Sequence, residues 1–138
     1  MNPRKYTNLS VPGRITTPFG GQTRGESFHK GIDVANAAGT QIPAMSDGII
    51  TGVGAKNDGM GNVVMLKDAR GNTHQYGHLQ STTVKPGMRV KKGQQIAKMG
   101  ATGGTSYSPS GGDPSHLDLR IANAHGRYFN PLTYLKGR

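Results

Sequence analysis

The sequence predicts a mainly β protein of short strands joined by tight turns, with little helix. Three observations lead there. Glycine is abundant, at 22 of 138 residues. Apolar triplets recur between the glycines, which separates the chain from disordered compositions. No long apolar stretch has the 3.6-residue period of a helix.

The elements follow in order. Residues 1–12 read as a polar N-terminal arm, and residues 13–138 as one domain. From Arg14 onward the pattern is strand and turn. The stretch Gly48-Ile49-Ile50-Thr51-Gly52-Val53-Gly54 is β-rich and punctuated by glycine. Asn62-Val63-Val64-Met65-Leu66 is a compact strand, 68–72 a turn, and 73–79 the returning strand of a hairpin. Between 84 and 97, Pro86-Gly87 and Lys92-Gly93 mark turns, with Val84, Val90 and Ile96 as core anchors. Residues 100–115 form a Gly/Ser/Thr/Pro loop flanked by strands, which reads as a wall beside a site rather than a domain boundary. Leu117 to Ile121 is the last long strand, and 130–135 closes the domain with a helical turn.

Bulk chemistry narrows the function. The chain has no cysteine, so it carries neither a disulfide frame nor a thiolate metal site. Its formal net charge of +10 attracts polyanions, of which an anionic wall surface and nucleic acid are two. Basic residues are spread along the chain, with one small cluster at Arg89, Lys91 and Lys92. No arginine-rich arm, zinc-finger spacing or aromatic-basic motif supports a specific nucleic-acid partner. The first residues show no apolar h-region, and no stretch is long and apolar enough to cross a membrane. A chain like this that works outside the cytoplasm would be delivered by something else.

Two phrases carry the chemistry: Phe28-His29-Lys30-Gly31-Ile32-Asp33 and Ser115-His116-Leu117-Asp118. Imidazole nitrogen and carboxylate oxygen are the usual zinc ligands where thiolate is absent. On a strand, residues two or four apart share a face, so His29 can align with Asp33 and His116 with Asp118. The same parity groups His74, Tyr76 and His78. Glu26 is the only glutamate, and there is no His-Glu-x-x-His, which excludes the helical metalloprotease arrangement. Nucleophilic cysteine chemistry is excluded, and no Gly-x-Ser-x-Gly elbow is present. If a hydrolytic water is used, histidine is the base, because its ordinary pKa of about 6.5 suits proton transfer near neutrality. His125, beside Gly126, reads as a turn residue.

Taken in order, Pro18-Phe19-Gly20, Phe28-His29-Lys30-Gly31-Ile32-Asp33, Ala44-Met45-Ser46-Asp47-Gly48, Gly61-Asn62-Val63-Val64, Tyr76-Gly77-His78-Leu79, 84–96 and Ser115-His116-Leu117 resemble the lysostaphin/LytM-type zinc endopeptidases of bacterial cell walls. The resemblance runs from Arg14 to Leu135. It implies a compact antiparallel β fold with a substrate groove over the main sheet. It implies one Zn²⁺ held by His29 and Asp33, with His78 and His116 acting on the attacking water and the tetrahedral intermediate. The third zinc ligand in such a family is the second histidine of a His-x-His pair, and this sequence has Asp118 there. Asp is a competent zinc ligand, although its carboxylate is shorter than imidazole and charged.

What the resemblance implies is therefore zinc-dependent hydrolysis of a peptide bond in the stem or cross-link of peptidoglycan, by a monomer that acts at the cell wall, in the periplasm or outside, virion-borne or released at lysis. The metal ligands are His29, Asp33 and Asp118, and the catalytic groups His78 and His116. A catalytically impaired domain that binds the wall or a protein partner is the alternative that Asp118 favours.

Overall fold

Every second residue of Ile32-Asp33-Val34 is apolar, and the strand they form turns Ile32 and Val34 into the core while Asp33 faces the other way. That alternation sets the architecture, in a computed structural model that describes residues 11, 13–22, 26–56, 58–103 and 114–136. The strands are β1 (Arg14–Thr17), β2 (Ile32–Ala35), β3 (Gln41–Pro43), β4 (Gly48–Lys56), β5 (Gly61–Asp68), β6 (Thr73–Gly77), β7 (Leu79–Thr82), β8 (Arg89–Val90), β9 (Gln95–Met99), β10 (His116–Ala122) and β11 (Tyr128–Phe129). A short helix, α1 (Pro131–Leu135), follows, so the expected mainly β class holds.

The larger sheet has the order β1-β2-β10-β6-β5-β4-β8, with β11 against β10. A smaller sheet has the order β3-β9-β7. Every strand pairing is antiparallel. The expected hairpin is β5/β6, with Val64 opposite Tyr76 and Leu66 opposite His74. Its turn is closed by Asp68 Oδ1, which accepts from the backbone N–H groups of Arg70 and Asn72. The expected helical turn is α1, where Asn130 caps by accepting from Leu132 N and Pro131 takes the first turn.

Register places the core. Ile32 lies opposite Leu119 and Val34 opposite Leu117, and Leu119 lies opposite Tyr76. These residues, with Val64, Leu66 and Ile121, are sealed from solvent on one face of the large sheet. The smaller sheet adds Ile42, Leu79, Ile96, Ala97 and Met99 to the same core. The anchors Val84, Val90 and Ile96 are all buried as expected. Met45 N donates to the Tyr76 hydroxyl at 2.9 Å, which satisfies the one polar atom of that fully buried ring.

Two expectations are corrected. Val11 was assigned to the polar arm, yet it is 1% exposed and belongs to the core cluster, so the packed domain reaches back at least that far. Residues 73–79 were read as one strand with His74, Tyr76 and His78 on one face. The strand ends at Gly77, and His78 adopts φ 62°, a left-handed conformation that a β-carbon disfavours. The chain there leaves the large sheet and enters the small one as β7. His74 and Tyr76 face the core, and only His78 is redirected. Most of the 100–115 loop, and residues 1–10 of the arm, lie outside the described residues.

Candidate metal centre

The site face of the large sheet is the face opposite the core. Asp118 pairs with Asp33 on one side and Gly77 on the other, and Arg120 pairs with Gln75. Cross-strand partners project to the same side, so Asp33, Asp118 and Arg120 share that face. His116, two residues before Asp118, shares it as well.

His29 arrives from the segment before β2. Gly20 N donates to His29 O at 2.8 Å, and His29 N donates to Gly21 O at 2.7 Å, which fixes its backbone. Gly31 lies against the Leu119 carbonyl so closely that a β-carbon would collide with it. Glycine between His29 and Asp33 is thus what lets this segment settle on β10.

His29 and Asp33 meet although His29 lies before β2 rather than on a strand. His29 Nε2 lies 3.0 Å from Asp33 Oδ1, and both residues are buried. Asp118 converges on them: one ligand atom each from His29, Asp33 and Asp118 fall within 4.8 Å of one another. Two donors on one tetrahedral zinc lie roughly 3.3 Å apart, given bonds of about 2.0–2.1 Å. The cluster therefore has the donor set and scale for such an ion. However, both oxygens of Asp118 already accept from Arg120, Oδ1 from Nε and Oδ2 from Nη2, each at 2.9 Å.

His116 and His78 complete the group. His116 Nε2 comes within 3.9 Å of Asp33 Oδ1, and the His78 and His116 rings lie 4.5 Å apart between centroids. The three imidazoles share one pattern. His29 Nδ1 faces Glu26 Oε1 at 3.0 Å, His116 Nδ1 faces Pro114 O at 3.0 Å, and His78 Nδ1 faces Thr102 O at 2.7 Å. An oxygen acceptor at Nδ1 holds the proton there and leaves the lone pair on Nε2. Thr102 is itself seated by its Oγ1, which donates to Leu79 O and accepts from Asn62 N. Gly61, at φ 66°, makes room for it, since a β-carbon there would overlap Thr102.

Charge tunes the imidazoles in opposite directions. For His29, burial works to lower the pKa, but hydrogen bonds and charge from Asp33 and Glu26 outweigh it, and the net shift is upward. For His78, burial lowers the pKa and the neighbouring His116 adds to that, so the net shift is downward despite the Thr102 carbonyl. Glu26 is held below the usual carboxylate range: burial raises it, but hydrogen bonds from His29 and Arg120 prevail.

The remaining candidates lie elsewhere. His74 is fully buried in the core, with Nε2 2.9 Å from Asp68 Oδ2, and Asp68 also accepts from the Tyr134 hydroxyl. A cavity of about 540 Å³ opens at the far edge, lined by residues of β4, β5 and β8 including Ile49, Lys67 and Arg89, and none of the predicted site residues lines it. Glu26 and Arg120 were missed as site residues. Glu26 stands three residues before His29 and Arg120 two after Asp118, so spacing alone could have suggested both, but nothing in the sequence joined them to each other.

Comparison with known proteins agrees with this geometry. The model for peptidase family M23 matches residues 27–131. The chain belongs to peptidase family M23. It is 36% identical over 130 residues to an uncharacterized metalloprotease of Haemophilus influenzae, covering 91% of this chain and 26% of that protein. It is 33% identical over 126 residues to the murein hydrolase activator NlpD of Escherichia coli K12, covering 91% of this chain and 30% of that protein. The chain thus spans about a quarter to a third of the curated relatives it matches. Among solved structures, the catalytic domain of the antimicrobial peptidase lysostaphin from Staphylococcus simulans superposes with a TM-score of 0.79 at 28% identity, over 91% of this chain and 93% of that one.

Proposed function

We propose that this M23 domain is a zinc-dependent endopeptidase that cuts a peptide bond in the stem or cross-link of peptidoglycan, acting in the periplasm or outside the cell. The observation that carries the reading is the convergence of one ligand atom each from His29, Asp33 and Asp118, with His116 and His78 beside them and every Nδ1 of the three imidazoles facing an oxygen acceptor. This is the usual outer-sphere arrangement of metal-binding histidines.

His29 and Asp33 are the fixed pair of ligands. Asp118 supplies the third donor: it converges with His29 and Asp33, and each of its oxygens keeps a second lone pair while it accepts from Arg120. His116, with Nε2 3.9 Å from Asp33 Oδ1, works as an acid/base group; that same approach favours a second assignment, in which His116 is the third donor. A bound Zn²⁺ supplies Lewis-acid polarisation of the scissile carbonyl and lowers the pKa of water. His78, neutral at pH 7 because its pKa is depressed, accepts a proton at Nε2 from the attacking water. Protonated, it can return that proton to the leaving amine. The net charge of +10 favours residence on an anionic wall.

A domain that binds wall or a partner without cleavage is the second functional reading, supported by the likeness to a protein named as an activator. Incubating purified walls of several cross-link types with zinc-loaded protein, then weighing the released peptides by mass spectrometry, separates the two. Chelator-sensitive release of new amino termini is the expected result; a zinc-loaded protein that releases none refutes hydrolysis. Zinc content of Asp118→Ala and His116→Ala decides the third ligand, with loss expected in the first and retention in the second.

A further inference from the structure

His29 reaches its metal-facing position through a chain of charged contacts that no other imidazole in the site has. Glu26 Oε1 sits 3.0 Å from His29 Nδ1. Both oxygens of Glu26 accept from one guanidinium, Oε1 from Arg120 Nη2 at 2.9 Å and Oε2 from Nη1 at 3.2 Å. The opposite edge of the same guanidinium grips Asp118 at both oxygens. Arg120 is thus a planar strut between two carboxylates, and its ends lie 94 residues apart in sequence from Glu26 and two from Asp118. His116 and His78 rest their Nδ1 atoms on backbone carbonyls instead.

We propose that Glu26 is the positioning residue of the metal centre, and that Arg120, anchored on Asp118, holds Glu26 in place. A side-chain carboxylate on a flexible segment could leave His29; a carboxylate clamped by a bidentate guanidinium cannot without breaking two charge-assisted bonds. Clamped, it fixes the ring orientation and tautomer of His29 and raises the basicity of Nε2. In this arrangement Asp118 has two roles: it converges with His29 and Asp33, and it is the far anchor of the strut. Charge also balances: Glu26, Asp33, Asp118 and Arg120 together carry a formal charge of minus two, which a divalent ion neutralises. The inference rests on the reading of His29 as a zinc ligand.

The test is zinc affinity by chelator competition, with the visible absorption of the cobalt-substituted protein as a second readout. His29→Ala is the control and should abolish tight binding. Glu26→Ala should weaken zinc binding by roughly 10–100-fold and alter the cobalt spectrum. Glu26→Gln should recover most of the affinity, because its amide oxygen still accepts from Nδ1–H. Arg120→Met should fall between wild type and Glu26→Ala, with the fold checked by circular dichroism. Glu26→Ala within two-fold of wild type would sink the positioning role while leaving the metal centre standing. Glu26→Gln as weak as Glu26→Ala would also overturn it, since positioning requires only an acceptor. Wild-type zinc binding by His29→Ala would remove the metal reading itself.

Discussion

Among the described residues, two buried histidine–carboxylate clusters do different things. In the candidate metal centre, His29, Asp33 and Asp118 converge, with His116 Nε2 3.9 Å from Asp33 Oδ1 and the His78 ring beside His116. In the core beside α1, His74 Nε2 spends itself on Asp68, Tyr134 donates to the same carboxylate, and Asn72 Nδ2 donates to the Tyr134 hydroxyl at 2.9 Å. The second cluster ties the β5/β6 hairpin to the C-terminal helix, with the His74 and Tyr134 rings edge to face. The residue types are the same. What differs is how many carboxylates meet and which face of the sheet carries them. The site gathers Glu26, Asp33 and Asp118 around His29 and Arg120, whereas the core cluster holds one carboxylate, Asp68, between His74 and Tyr134.

Mutations should pull the two apart. Asp33→Asn and His29→Ala should give the largest effect, loss of stoichiometric zinc and of wall hydrolysis, with little change in thermal stability of the metal-free protein. Zinc content by elemental analysis checks it. His78→Ala should lower kcat by roughly 10²- to 10⁴-fold, with zinc content intact, since His78 lies outside the ligand set. On the other side, Asp68→Ala should cost about 1–3 kcal/mol in denaturant unfolding, because it strands the buried His74 and Tyr134 donors. Its zinc affinity should match wild type. A drop in zinc affinity there would show that the clusters communicate.

The smallest effects are in titration. In zinc-free protein, NMR should find His29 titrating above its ordinary value of 6.5 and His78 below it. The linkage signs differ accordingly. The raised His29 contributes stability that is full below 6.5 and lost as pH rises through its folded pKa. The depressed His78 contributes stability present above 6.5 and lost as pH falls through its folded pKa. Asp68 is held below 3.8: burial raises it, but hydrogen bonds from Tyr134 and His74 prevail. Its contribution is present above 3.8 and lost as pH falls through its folded pKa. As pH is lowered the contribution of His78 should therefore be lost first and that of Asp68 only in the acid range, while that of His29 stays full.

Much of this was legible in the chain. Glycine spacing and period-two alternation marked the hairpin, the strands and the core anchors Val84, Val90 and Ile96, because local steric rules act on near neighbours. The motif His29-x-x-x-Asp33 pointed to two residues that do meet, but not by strand parity, because His29 precedes β2 and is placed by its backbone bonds to Gly20 and Gly21. His78 was found by family resemblance, whereas the parity argument behind its grouping with His74 and Tyr76 failed. A single positive φ at His78 sends it to another sheet, and no composition rule specifies that. The strut through Arg120 was invisible for a related reason. Sequence fixes which residues can bond, but a contact across 94 residues exists only once strand register sets Arg120 on the face of Asp118 and turns it toward Glu26. Local geometry determined the parts of the site; long-range register decided which carboxylates gather at His29 and Arg120 and which histidine stays in the core.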